Sequence, residues 1–220
     1  MGAVLRAALI GVLVLLPAVT CAPASEVLRK VLSSPLVEEG SDPDGCDPAV
    51  SGFGGPSVWH VRLERFLLDG KALVEESHEA NLNRFPLCVA DRPLAKNAEV
   101  ELSFVAHEGG IAHIAGVVLR FADPQDFYVV EADASAGRVR LLRILNGERH
   151  EIAGRAAALA LGAAHSLRTK AVDESFGIAL DGKPLFEVSD RGLTAPGRFG
   201  VWSRADSETR FGDLFITILD

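Results

Sequence analysis

The sequence has no run of basic residues interleaved with aromatics, and acidic residues outnumber basic ones 30 to 22, a net charge of −8. An acidic surface repels phosphate backbones and anionic lipid, which excludes nucleic acid as a partner. No apolar stretch reaches the roughly 20 residues that cross a bilayer as a helix. The longest, from Ala7 to Leu16, ends at Pro17. No self-similarity appears at periods of about 20–50 residues, which excludes propellers and solenoids. There is no G-x-S-x-G, so the nucleophile elbow of an α/β-hydrolase is absent. Cysteine is scarce, with three in 220 residues.

Two incomplete motifs add further exclusions. "HEGGIAH" lacks the second histidine four residues after His107 that a helical zinc site needs. Ile111 stands there, and Gly109-Gly110 breaks a helix, so the stretch reads as a loop. "GFGGPS", from Gly52, follows no strand and opens no helix, so it is no phosphate cradle.

The apolar run is what the N-terminus does have. Arg6, the run itself and Ala22-Pro23-Ala24 have the form of a secretory signal cleaved after Ala24. A second reading makes Cys21 a lipid acceptor, although Thr20 before it departs from the small residue usual there. The chain is therefore expected to be exported, periplasmic or secreted, with a lipoprotein as the alternative. Cleavage after Ala24 leaves Cys46 and Cys88, and an even pair in an exported chain predicts one disulfide. The competing reading is two buried free thiols.

Residues 25–52 read as a tail and linker. "SEVLRKVL" has Ser25 as N-cap and Val27, Leu28, Val31 and Leu32 on one helical face. "VEEGSDPDGCDP" is turn-rich, and its Asp42, Asp44 and Asp47 sketch a calcium loop that no glutamate completes. No cofactor is expected, and structural calcium is a minor alternative.

From Trp59 the signal is strand. "WHVRLERF" and "VELSFVA" alternate apolar and polar residues; "AGVVLRF", "FYVVEAD" and "RVRLLRIL" are β-branched or aromatic runs. Asn146-Gly147 and Asp181-Gly182 sit between apolar runs as hairpin turns. "AGRAAALALGAAH" reads as a loop. About ten strands with turns between them predict an all-β, two-sheet antiparallel jelly-roll sandwich over residues 53–220.

Glu131 and Asp133 of "EADASA" lie two apart, so on a strand they point to one face, as paired glycosidase carboxylates must. A jelly-roll laminarinase signature of the form E-x-D-x-x-E would need a third acid where Ala136 stands. The commoner reading of such a pair is a solvated face.

"GPSVWHV", "FPLCVAD", "AGVVLRFADPQDFYVVEADA", "ILNGER", "HSLRTKA", "LDGKPLFEVSD" and "GRFGVWSRADSETRFGDL" occur in this order. Together they resemble the concanavalin A/laminin G-like jelly-roll domains of bacterial exported proteins, related to the 3-keto-disaccharide hydrolase (DUF1080-like) domains. The resemblance covers about residues 53–218 and implies the sandwich more strongly than any chemistry. In those domains the last motif reads W-T-K-A-D-S and then F-D-D; here Arg204 replaces the lysine and Gly212 the first aspartate. Asp126, Phe127 and Glu131 replace an asparagine, a tyrosine and an arginine, so a shared ligand would be lost or altered here.

Trp202 and Arg204 fall on one strand face, and Phe127, Glu131 and Asp133 on one face of another strand. An aromatic ring stacked on a sugar, with charged groups bonding its hydroxyls, makes Arg120, Phe127, Glu131, Trp202, Arg204 and Asp206 the candidate ligand residues. The alternative buries Trp202 in the core and leaves Arg204, Asp206 and Arg210 as ion pairs of a turn; tryptophan's usual burial favours it. Arg120 reads better as the anchor of an ion pair within the sheet than as a ligand residue. The function expected is non-catalytic recognition of carbohydrate or of a cell-envelope surface. The alternatives are a glycan-processing enzyme of the 3-keto-disaccharide hydrolase type and a purely structural envelope protein.

Overall fold

The computed structural model describes residues 27–29, 46–63, 71–76, 78–107 and 110–219, and among them there is no helix. The strands are β1 (Val27–Arg29), β2 (Cys46–Gly52), β3 (Trp59–Leu63), β4 (Lys71–Glu75), β5 (Arg84–Ala90), β6 (Ala98–Ala106), β7 (Ile114–Asp123) and β8 (Asp126–Asp133). They continue with β9 (Arg138–Leu145), β10 (Glu148–Ala156), β11 (Ala164–Val172), β12 (Ser175–Leu180), β13 (Lys183–Ser189), β14 (Arg198–Trp202) and β15 (Thr209–Ile218). One sheet runs β13-β12-β11-β6-β15-β4-β3, with β1 beside β15; the other runs β10-β9-β8-β7-β14-β5-β2. Every pairing among these strands is antiparallel. This is the expected two-sheet sandwich.

The alternation read from the sequence is the alternation of burial. Along β6, Ala98, Val100, Leu102 and Phe104 face the other sheet, while Glu99 and Ser103 do not. The Asn146-Gly147 and Asp181-Gly182 turns carry positive φ at both residues (52° and 78°, 50° and 73°). That is the hairpin geometry whose twist matches its strands.

Three segments differ from expectation. Val27–Arg29, read as helix, pairs with Phe215–Thr217 of β15; the rest of that helix reading lies outside the described residues. Cys46–Gly52, read as linker, is the edge strand β2, where a proline such as Pro48 is tolerated. In the alanine-rich stretch, residues 153–156 end β10 and pair with β9, and 164–165 begin β11, so only 157–163 connect. Ladder pairing overrides alanine's low strand preference. These segments supply β1, β2 and β11, three of the five strands by which the fifteen described exceed the ten expected; β4 and β5 are the others. In the zinc-like stretch, His107 and residues 110–113 form a connection between β6 and β7.

The core between the sheets is pinned at one end by an ion pair. Arg84 of β5 and Glu75 of β4 are 0% and 3% exposed. Arg84 Nη2 and Nη1 donate to the two oxygens of Glu75 at 2.9 and 3.2 Å. The same guanidinium donates to the carbonyls of Pro56 (2.7 Å) and Gly55 (3.3 Å), and Glu75 accepts from the Val58 amide. The β2–β3 connection is thus wrapped around a pair that joins one sheet to the other. Further along, the Tyr128 hydroxyl donates to Asp190, which Arg143 also holds at 2.7 Å, while the Leu193 amide donates to the phenol oxygen. Burial first, and then the hydrogen bond to Asp190, push the Tyr128 phenol up to about 12.

Two predictions follow from these buried polar groups. Removing one partner of the Arg84–Glu75 pair, as in Glu75→Leu, should destabilise the fold by about 3–5 kcal/mol, because the buried Arg84 guanidinium then keeps only the partly exposed Glu79, 3.4 Å from its Nε, as a counter-charge. The double variant Arg84→Met with Glu75→Leu should recover most of that loss in chemical denaturation; equal loss in both would show that the pair's charge is not what matters. Tyr128 is the single tyrosine of the chain, so phenolate absorbance reports it alone. It should titrate near pH 12 in the folded protein and near 10 in denaturant. Because the folded value is the higher, the associated stability is complete below pH 10 and is lost as pH rises through 12. A native titration near 10 would contradict the network.

Candidate functional site

Strand parity gives the seven-stranded sheet two apolar faces. Tyr128, Val130 and Ala132 of β8 face the other sheet, while Phe127 and Val129 point away from it. The same division holds for Ala115, Val117 and Leu119 against Ile114 and Val118 on β7, and for Cys88 against Phe85, Leu87 and Val89 on β5. The outward side chains form a second cluster with Leu142, Ile144 and Trp202, all buried.

How an outward face becomes buried follows from two contacts. Arg149, opposite Ile144 on β10, lies with its guanidinium 4.1 Å from the centre of the Phe85 ring on β5. In strand order β10 and β5 are five intervals apart, about 24 Å on a flat sheet. The sheet must therefore curl about this face and bring its far corners together. On the same face Phe85 stacks on Trp202 of the adjacent strand at 4.8 Å and 14°, and Trp202 meets Phe127, two strands away, at 5.8 Å and 58°.

One row crosses the middle of the face: Leu87, Trp202, Gly116, Glu131, Arg140 and Gly154, each opposite the next. Gly116 makes room for the indole, since a Cβ there would lie 2.8 Å from Trp202 Cδ1. Glu131, 0% exposed, accepts from Arg140 through Nη2, and through Nε at 3.1 Å. Burial alone would lower the Arg140 pKa, but Glu131 outweighs it and the net shift is upward. Arg149 shifts the other way, lowered first by burial and then by neighbouring Arg204 and Arg140, with Glu131 opposing. Two buried polar atoms of the face have no hydrogen-bond partner: the acceptor Glu131 Oε2 and the donor Trp202 Nε1.

The structure brings four of the six candidates to this face and separates the others. Trp202 and Phe127 are both 0% exposed, so Trp202 takes the buried place that tryptophan's habit favoured, and neither ring presents a stacking surface. Arg204 is half-buried, donates to the Leu82 carbonyl at 2.9 Å and lies 5.8 Å from the Phe85 ring centre. Asp206 does not pair with Arg204; it accepts from the Ile111 amide at 2.8 Å and ties the last turn to the β6–β7 connection. Arg210 donates to His107. Arg120 is an anchor but not an ion pair: it holds the carbonyls of Lys96, Leu193 and Asp173 and lies over Phe176, on the inner side. Asp133 does not stand free beside Glu131, because its Oδ1 accepts from the Ala136 amide. Arg149, Arg140 and Phe85 were missed. Each sits in a stretch read only as strand or turn, and no sequence spacing relates β5 to β10.

Among the described residues no group of three or more His, Cys, Asp or Glu could hold a metal ion. Of the calcium-loop aspartates, Asp47 pairs with Arg198 at 3.0 Å, and Asp42 and Asp44 lie outside the described residues. No described helix is long and apolar enough to cross a membrane.

No protein family and no curated protein matches this chain. Its fold is that of several solved structures. The carbohydrate-binding module CBM66 from Bacillus subtilis superposes with a TM-score of 0.59 at 18% identity, over 72% of this chain and 89% of that one. A Bacillus subtilis protein of unknown function with a galectin-like fold gives 0.55 at 12%, over 84% and 100%. The Ca2+-bound exoplasmic/lumenal domain of VIP36 gives 0.56 at 12%, over 80% and 84%. At these identities the likeness is one of fold: this chain is a two-sheet antiparallel jelly-roll sandwich, and galectin-like and carbohydrate-binding-module structures share that architecture.

Proposed function

We propose that the protein is an exported, non-catalytic carbohydrate-recognition module that holds its ligand at the rim of the curled face of the seven-stranded sheet. The observation that carries this reading is the convergence of Arg149 and Arg204 on the Phe85 ring, beside Arg140 and Glu131. A sugar hydroxyl accepts as well as donates, so the planar guanidinium donors of Arg149 and Arg204 suit it. The fold supports the reading, since its structural neighbours include a carbohydrate-binding module and the mannose-bound lumenal domain of VIP36. Catalysis of the 3-keto-disaccharide hydrolase type has less support, because Glu131 is neutralised by Arg140 and Asp133 is engaged by a backbone amide. The aromatic stack serves the site as its floor rather than as a platform.

Binding of the mature protein to a glycan array, with a reducing-sugar assay beside it, tests the reading. Capture of a glycan without sugar release is expected. Arg204→Ala should weaken capture several-fold or more, where tenfold is about 1.4 kcal/mol, with a stability change under about 0.5 kcal/mol. Sugar release abolished by Glu131→Gln would make the protein an enzyme, and absence of any glycan binding would remove the proposal.

Export and the disulfide belong to the same proposal. Cleavage after Ala24 would begin the chain at Ser25, with lipidation of Cys21 as the alternative. In the β2–β5 ladder Cys46 stands opposite Ala90 and Cys88 opposite Pro48, which makes the two cysteines diagonal neighbours on adjacent strands. A Cys46–Cys88 bridge would add about 3–5 kcal/mol by restricting the unfolded chain. Intact mass of exported protein, alkylated with and without reductant, should show a start at Ser25 and no free thiol before reduction. Two alkylated cysteines without reductant would remove the bridge, and a diacylglyceryl adduct would move the start to Cys21.

A further inference from the structure

We propose that the ligand of this face is an acidic saccharide, whose carboxylate or sulfate group is read by Arg149 and Arg204. The inference rests on the carbohydrate reading and narrows it. Seven described guanidinium groups have acidic partners: Arg84 with Glu75, Arg138 with Glu151, Arg140 with Glu131, Arg143 with Asp190, Arg168 with Glu99, Arg191 with Glu174, and Arg198 with Asp47. Of the others, Arg120, buried, is held by three backbone carbonyls, and Arg155 donates to the Gly154 carbonyl. Arg149 has neither among the described residues; its contact is the Phe85 ring face at 4.1 Å. Arg204 has one carbonyl, Leu82, and the same ring.

In a chain with eight more acids than bases, two such cations held over one ring require an explanation. Like charges repel, and a phenyl face returns only part of what a carboxylate would. The repulsion is felt: the Arg149 pKa is lowered by burial first and then by Arg204 and Arg140. Glu131 does not balance the set, because Arg140 already neutralises it. Among the described residues the rim therefore carries two positive charges without a carboxylate partner, Arg149 exposed and Arg204 half-buried, over an aromatic floor. A planar oxyanion that accepts two parallel N–H bonds from a guanidinium relieves both deficits. Neutral hydroxyls satisfy the donors but leave the charge.

Titration calorimetry of the mature protein distinguishes the cases with three probes: an oligogalacturonate, a sulfated oligosaccharide and a neutral gluco-oligosaccharide. One of the two acidic probes should bind at least tenfold more tightly than the neutral one, with affinity falling as salt rises. Which of them does so tells carboxylate from sulfate. Arg149→Gln and Arg204→Gln keep polar donors but remove charge. Each should weaken the acidic probe tenfold or more and flatten its salt dependence, with a thermal midpoint unchanged or raised by the lost repulsion. Neutral and acidic probes bound equally, with both variants as tight as wild type, would overturn the acidic class while leaving a carbohydrate module. Failure of all three probes together with an empty glycan array would overturn both readings.

Discussion

A sheet that is apolar on both faces must cover both. That constraint governs this molecule. β5 is buried at every position, β7 at all but its last two and β8 at all but its first, so the seven-stranded sheet cannot be the half-solvated layer usual in antiparallel sandwiches. The inner face is covered by the eight-stranded sheet. Left flat, the outer face would be an apolar patch of the size that drives association. Curling removes it: the corners carrying Arg149 and Phe85 close over the aromatic stack. The core and the candidate site are two consequences of the same excess of apolar side chains.

Where polar groups enter this apolar framework, they are mostly matched. Arg84 and Glu75 join the sheets at one end, and Tyr128, Asp190 and Arg143 bind the loop after β13 to the middle strands. Arg120, at φ 50°, reaches three carbonyls from three connections. Buried polar groups without partners cost far more than the net value of a bond made, so matching is expected wherever stability is the only demand. The curled face departs from that rule. Among the described residues, seven buried side-chain atoms lack a partner; two of them, Glu131 Oε2 and Trp202 Nε1, lie on this face, which also carries Arg149 and Arg204 with the Phe85 ring as their shared contact.

Trp202 shows how a correct grouping accompanies a different role. The sequence placed it with Arg204 and placed Phe127 with Glu131, and all four lie on this face. The ring nevertheless packs flat on Phe85 above the bare backbone of Gly116. It supports the residue that meets the arginines and does not meet a ligand itself.

Much of the fold was legible in the chain because strands write themselves locally. Alternation in "VELSFVA", continuous apolar runs in "AGVVLRF" and "FYVVEAD", and the two Asn-Gly and Asp-Gly turns depend on neighbours a few residues away. Local sterics and burial determined those elements and the all-β class. The edge strands β1 and β2 were not legible, because their pairing is with residues far along the chain, in β15 and β5. The acidic balance belongs to composition alone. The site was decided by the tertiary structure: Arg149 and Phe85 are 64 positions apart in a numbering that says nothing of curl. Only the need to bury a second apolar face bends the sheet enough to make them neighbours.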